Sequence, residues 1–196
     1  MNPDQSCGIK VEQEYLDQRG EPVAGILGEP FTDYVPPSWD MYFMRLAAEV
    51  ATKSKDPSTK FGAVIVKEKR PILFGYNGLP PKVYDSAERL NTDNKYLWTV
   101  HAETNAIACA AKYGIATNHS TLYIGAWPCP TCAGIIVSAG IEEIVLHRPS
   151  VEIFSQDPKW NNAISKEMFE EAGVKVRFLD LFIGRPVYIS KRKYNV

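Results

Sequence analysis

The sequence predicts one α/β domain in which helices cover a β-sheet, and three observations carry that reading. From residue 115 onward, strand-like and helical patterns alternate, as they do where helices pack on a sheet. A hairpin pattern at residues 61–76 comes before them. The composition is that of an ordinary globular chain, 45% hydrophobic and 23% charged, and 196 residues is the length of one domain. Wholesale disorder is excluded.

The first 37 residues differ from the rest. They hold five of the 14 prolines and seven acidic residues against two basic ones, so they carry about −5 and the remainder about +4. An acidic leader is a poor organelle-import peptide, since those are rich in arginine. Residues 1–37 therefore read as an extension that follows the surface or as a subunit-contact arm. Residues 38–180 read as the domain and 181–196 as a tail, with Lys191-Arg192-Lys193 a solvated end.

Within the domain, Ser38 is a capping residue, and Trp39, Phe43, Leu46 and Val50 recur at helical spacing. Pro57 ends that helical region. Phe61 to Val66 and Ile72 to Tyr76 are β-rich runs joined by a polar turn. Asn77-Gly78 turns the chain, because both tolerate positive φ. Residues 79–99 read as an irregular loop. His101 to Tyr113 is alanine-rich and helical, with Gly114 as its stop. Strands follow at 121–124, 143–146 and 174–178, and helices at 129–139 and 159–172.

Charge and cysteine usage narrow the function. The net charge of −1 argues against a dedicated binder of bulk nucleic acid. No apolar run approaches the ~20 residues that span a bilayer, and no signal-peptide pattern opens the chain. Four cysteines without a regular framework point to a reducing, cytoplasmic setting.

Three residues have the chemistry of a zinc site: His101, Cys129 and Cys132. Zinc takes nitrogen and sulfur ligands in a tetrahedron, and a catalytic zinc keeps one position for water. The i, i+3 spacing puts both sulfurs on one face of a helix start, where unpaired N–H groups favour thiolates. Pro130 fits the first helical position there. Glu103 lies two residues after His101, placed to move protons for a metal-activated water without ligating the metal. A lone Cys-x-x-Cys could also be a structural knuckle or a redox pair. No obvious fourth ligand accompanies this one, because Cys7, Cys109, His119 and His147 show no pairing with it. Cys109 reads as a packed helix residue.

His101-Ala-Glu103, followed by Pro128-Cys129-Pro-Thr-Cys132, resembles the signature of the zinc-dependent cytidine deaminase superfamily. Within it, three segments are similar in order and spacing to the deoxycytidylate (dCMP) deaminases. They are Ser54-Lys-Asp-Pro-Ser-Thr-Lys-Phe-Gly-Ala-Val-Ile-Val66, Gly75-Tyr-Asn-Gly-Leu-Pro80 and Lys95-Tyr-Leu-Trp-Thr-Val-His-Ala-Glu103-Thr-Asn-Ala-Ile107. The resemblance covers about residues 39–178. It implies a three-layer cytidine-deaminase-like fold, with a central mixed five-stranded sheet covered by helices.

It also implies an activity: hydrolytic deamination of dCMP to dUMP and ammonia by a zinc-bound hydroxide, in pyrimidine deoxynucleotide metabolism. Glu103 is then the proton shuttle, and His101, Cys129 and Cys132 hold one Zn2+ per chain. Asn77 meets the sugar hydroxyl, the Ala102 backbone reads the pyrimidine carbonyl, and Trp127 and Pro128 line the base. The segment from Ser54 to Lys60 lies where the family contacts the 5′-phosphate. Where the family often carries an acidic–basic–aromatic cluster, this chain reads His147-Arg148-Pro149-Ser150. Arg148 is there either a phosphate contact or a solvated loop arginine. Pro80-Pro81-Lys82-Val83-Tyr84 offers no extra Cys or His, so one zinc is expected.

The family also implies a homo-oligomer, hexameric in some members. Control by dCTP and dTTP with Mg2+, common in the family, is an open expectation. Competing readings are a tRNA-adenosine deaminase, a riboflavin-pathway deaminase and a catalytically inactive zinc-fold binding module. Near-neutral charge counts against the first and the intact Glu103 against the last.

Overall fold

Ser38 begins the folded body as a helix cap, its hydroxyl accepting the Met41 N–H at 3.3 Å. The computed structural model describes residues 34–91, 95–155 and 162–196. The chain divides into two compact units, residues 1–36 and 37–196, and the fold is that of the second. The reading of the leader falls almost wholly outside the described residues.

Helix α1 (Trp39–Ala51) buries Phe43, Met44, Ala47, Val50 and Ala51. Trp39, expected on that face, is 52% exposed and stacks on Phe43 from outside. The helix also stops before Pro57. The N–H groups of Thr52, Lys53 and Ser54 bond to carbonyls three residues back, which tightens and ends the last turn. Strands β1 (Gly62–Lys67) and β2 (Arg70–Tyr76) form the expected hairpin, turning on Glu68 and Lys69 at φ of 51° and 59°. Asn77 and Gly78 do not take positive φ. Instead Gly78 exchanges two backbone hydrogen bonds with Val100, which ties the loop shut at its base. That loop holds two short helices, α2 (Ala87–Asn91) and α3 (Lys95–Trp98).

The remaining elements alternate as the sequence reads. They are α4 (Ala102–Tyr113), β3 (Ser120–Ile124), α5 (Pro130–Ser138), β4 (Ile141–His147), α6 (Arg148–Phe154), α7 (Ala163–Glu171) and β5 (Lys175–Leu179). Gly114, at φ +67°, caps α4 in the left-handed conformation. The strand order is β2-β1-β3-β4-β5, antiparallel across β2-β1-β3 and parallel across β3-β4-β5.

The sheet divides two cores because successive side chains point to opposite faces. From β1, Ala63 and Ile65 join Ala106 of α4, Ile136 of α5 and Phe169 of α7. Val64 and Val66 of the same strand join Phe43, Met44 and Ala47 of α1. Burying each large apolar side chain contributes about 1.5–3 kcal/mol. The result is the three-layer fold with a mixed five-stranded sheet. Two glycines allow the close approach of helices. A Cβ on Gly75 would lie 2.4 Å from the Ala102 carbonyl oxygen of α4, and one on Gly62 would lie 2.1 Å from the Ala47 carbonyl oxygen of α1.

Residues 181–196 form a folded hairpin rather than an unstructured tail, while Lys191, Arg192 and Lys193 are exposed as expected. Strands β6 (Pro186–Ile189) and β7 (Arg192–Asn195) form a second hairpin that belongs to the unit 37–196. It is joined to residues 58–60 by backbone: Lys60 N–H donates to the Tyr188 carbonyl at 2.8 Å and Lys191 N–H to the Ser58 carbonyl at 2.7 Å. Among the described residues, no helix is long and apolar enough to cross a membrane.

Candidate active site

Two helix starts meet beside the sheet. His101 is the residue before α4 and Cys129 the residue before α5, with Pro130 at the first helical position. Each helix opens with N–H groups that have no partner in the helix, so both point positive ends at one spot. His101 Nδ1 lies 3.6 Å from Cys129 Sγ and 3.4 Å from Cys132 Sγ. All three donor atoms lie within 4.8 Å of one another. Zinc–nitrogen and zinc–sulfur bonds at a tetrahedral angle set their donors about 3.5 Å apart. The donor set and its spacing fit zinc.

The electrostatics agree with that role. The neighbouring Cys132 thiol, with help from the His101 ring, holds the Cys129 thiol below its ordinary value. The bond to Cys129 and burial push the Cys132 thiol up. The Cys129 sulfur likewise raises His101. Cation binding takes both sulfurs as thiolates and so releases protons. Thr104 Oγ1 lies 3.3 Å from Cys132 Sγ and can donate to it as a thiolate.

Glu103 sits in the first turn of α4, buried to 5% exposure, and lines the same cavity as His101 and Cys129. Burial pushes its carboxyl above the usual range, while the His101 ring and its own backbone N–H pull the other way.

The cavity measures about 290 Å³. Its apolar walls are Phe61, Phe154, Ile124 and Trp127, with the rings of Phe61 and Phe154 meeting edge to face at 5.0 Å. The Trp127 ring is fixed from behind, its N–H donating to Ser165 Oγ at 3.2 Å. Away from the metal cluster the lining turns polar, with Ser58, Thr59, Lys95, Ser190 and Lys191.

The model of the cytidine and deoxycytidylate deaminase zinc-binding region matches residues 37–148, more than half of the chain. The chain belongs to this family. This deaminase is 38% identical over 147 residues to the "Uncharacterized deaminase in luxG 3'region" of Aliivibrio fischeri, covering 74% of this chain and 96% of the relative. It is 34% identical over 146 residues to ComE operon protein 2 of Bacillus subtilis, covering 74% of this chain and 72% of the relative. It is 37% identical over 177 residues to the deoxycytidylate deaminase of Saccharomyces cerevisiae, covering 86% of this chain and 51% of the relative. A solved dCMP deaminase from the cyanophage S-TIM5 shares the fold, with a TM-score of 0.56 and 23% identity over 74% of this chain and 100% of that one.

The residues singled out in the sequence separate into two groups. His101, Glu103, Cys129, Asn77 and Trp127 line the cavity, with Cys132 buried behind Cys129. Ala102 and Pro128 are buried beside these residues without lining the cavity. Asn77 also holds the loop: its Oδ1 accepts the Phe61 N–H at 2.8 Å and its Nδ2 donates to the Thr59 carbonyl at 2.9 Å.

Ser54, Lys60 and Arg148 are outside the lining. Ser54 donates to the Asn77 carbonyl, and the Lys60 ammonium bonds back to the Ser54 carbonyl. Arg148 begins helix α6, with its guanidinium over the Phe178 ring at 4.3 Å and 3.5 Å from Asp180.

Sequence reasoning missed a buried pair that organises the polar end. Asp56 and Lys95 are 4% and 8% exposed, with Lys95 Nζ 3.0 Å from both carboxylate oxygens and 2.6 Å from Ser58 Oγ. Asp56 also accepts the N–H groups of Ser58 and Thr59. Burial opposes the Asp56 charge, but these donors prevail and hold its carboxyl below the usual range. Lys95 sits at the start of a four-residue helix in a stretch that reads as irregular, and nothing local marks it.

Proposed function

We propose that this deaminase hydrolyses dCMP to dUMP and ammonia. The observation that carries the reading is a buried carboxylate, Glu103, sharing one flat-walled cavity with the His101–Cys129–Cys132 cluster. His101 Nδ1, Cys129 Sγ and Cys132 Sγ would hold one zinc ion, which when bound supplies a water acidic enough to attack at neutral pH.

The chain's own residues do the rest. Trp127 and Phe154 form walls that accept a planar base and exclude bulk water. Glu103 takes the proton of the attacking water as it adds to the carbon bearing the amine. It passes that proton to the ring nitrogen, then takes the remaining proton of the added hydroxyl and gives it to the amine. The C–N bond breaks as the hydroxyl oxygen becomes a carbonyl, and ammonia leaves. Burial raises the carboxyl's affinity for a proton, which favours its carrying one. Asn77, fixed at both ends of its amide, offers its remaining donor and lone pair to the sugar.

The yeast relative named deoxycytidylate deaminase and the solved phage structure in complex with dCMP and dUMP support the choice of base and phosphate state. A homo-oligomer, and effector nucleotides with Mg2+, belong to the same reading by family alone. The test is a deamination screen across dCMP, CMP, deoxycytidine, dCTP and tRNA. The expected result is ammonia and dUMP from dCMP at the highest kcat/KM. Turnover of deoxycytidine or tRNA with none of dCMP would overturn it.

A further inference from the structure

We infer that Lys191, in the turn of the C-terminal hairpin, supplies the cation that recognises the substrate's phosphate. The inference rests on the nucleotide-monophosphate reading above.

The segment 54–60 brings the Thr59 hydroxyl to the cavity wall, but the N–H groups and ammonium beside it are already engaged. The N–H groups of Ser58 and Thr59 are both taken by the Asp56 carboxylate. The Lys60 N–H is taken by Tyr188, and its ammonium by the Ser54 carbonyl. The ammonium of Lys95 is bound to Asp56 and Ser58. The Lys55 ammonium points outward instead, pairs with Asp85 and is outside the cavity lining.

What remains at the polar end comes from the far end of the chain. Ser190 and Lys191 line the cavity together with Ser58 and Thr59. They are held there by backbone: Lys191 N–H to the Ser58 carbonyl at 2.7 Å and Ser190 N–H to Thr59 Oγ1 at 3.1 Å. The Lys191 side chain itself is exposed and makes no ion pair with the described residues. Arg192 and Lys193 follow it in the chain and, with Lys191 and Lys60, line a second hollow of about 160 Å³ beside the first. The local field at this end is positive, and Lys191 is its member in the catalytic cavity. An ammonium at a cavity wall, with the Ser190 and Thr59 hydroxyls beside it, is a fitting receptor for a phosphate dianion. Lysine binds phosphate as a point charge, so the contact needs no fixed fork geometry.

The backbone bonds position the turn and do not depend on the side chain. The variants are Lys191→Asn, which removes the charge while suiting the φ of +63°, and Lys191→Arg, which keeps it. kcat/KM is measured for dCMP and for deoxycytidine with each protein. For K191N the expected result is a fall of about 10- to 100-fold with dCMP, no change with deoxycytidine, and recovery of most of the loss in K191R. An unchanged dCMP value in K191N, or equal losses on both substrates, would overturn the inference while leaving the proposed reaction standing. Wild-type protein that turns over deoxycytidine as well as dCMP would overturn the underlying reading and the inference with it.

Discussion

The two ends of the cavity are built in opposite ways. At the metal end, His101 and Glu103 come from one helix start, and Cys129 and Cys132 from another. Each pair is two or three residues apart in sequence, and only one tertiary contact is needed to join them. At the polar end, Asp56 meets Lys95 across 39 positions, and Ser190 meets Thr59 across 131. Under the proposed reaction, the chemistry falls where geometry is local and the recognition where it is long-range. A helix start fixes its side chains through its own backbone. A loop needs a buried ion pair and a second hairpin to hold it.

The comparison can be broken first at the metal end. Glu103→Ala should lower turnover of the preferred substrate by at least ~10²–10⁴-fold, the range for one general acid–base group. Zinc content and thermal midpoint should stay close to wild type, because the carboxylate is not a ligand. Turnover within a factor of a few of wild type would remove Glu103 from the proton path.

At the polar end the large effect should be on stability. Lys95→Met strands the Asp56 carboxylate in a buried site, and breaking one partner of such a pair costs about 3–5 kcal/mol. Denaturant unfolding measures this. The pH dependence has a definite sign. The folded-state pKa of Asp56 is depressed, so its contribution is fully present above its unfolded value of about 3.9 and is lost as pH falls through the folded value. The gap between wild type and K95M should therefore close under acid. A gap that persists unchanged there would mean the lost stability is packing rather than charge.

A smaller effect links the sheet to the metal end. Gly75→Ala forces a methyl against the α4 backbone at Ala102 and Ala106. The helix must shift, at a cost of about 1–3 kcal/mol, and His101 and Glu103 shift with it. Zinc should be lost more readily to a chelator than in wild type. Equal chelator resistance would show that the close β2–α4 approach does not set ligand position.

Legibility in the sequence followed the same division. The alternating strands and helices, the hairpin at 62–76 and the clustering of His101, Cys129 and Cys132 are legible because period, cap and spacing are local signals. The stripe Trp39, Phe43, Leu46 and Val50 finds most of the buried face of α1, but Trp39 is exposed and Met44 and Ala47, which pack on β1, are not in it. Asn77 was readable as a site residue, but its turn was not. Its backbone is set by Val100 pairing with Gly78, a partner 22 positions on that no dipeptide rule can see. The C-terminal hairpin was missed because its turn uses Ser190 and Lys191 at positive φ, where glycine or asparagine is the usual signal. Its apolar content is also slight, with only Ile189 buried among the residues of its two strands.

The proposed reaction depends on a zinc ion held by His101, Cys129 and Cys132. Metal analysis of the purified chain, wild type beside Cys129→Ser, tests it most directly when the same samples are assayed for ammonia release. Close to one zinc per wild-type chain is expected, and close to none in C129S together with loss of activity. A wild-type enzyme that is active with no zinc, or a C129S protein with full zinc and full activity, would contradict it.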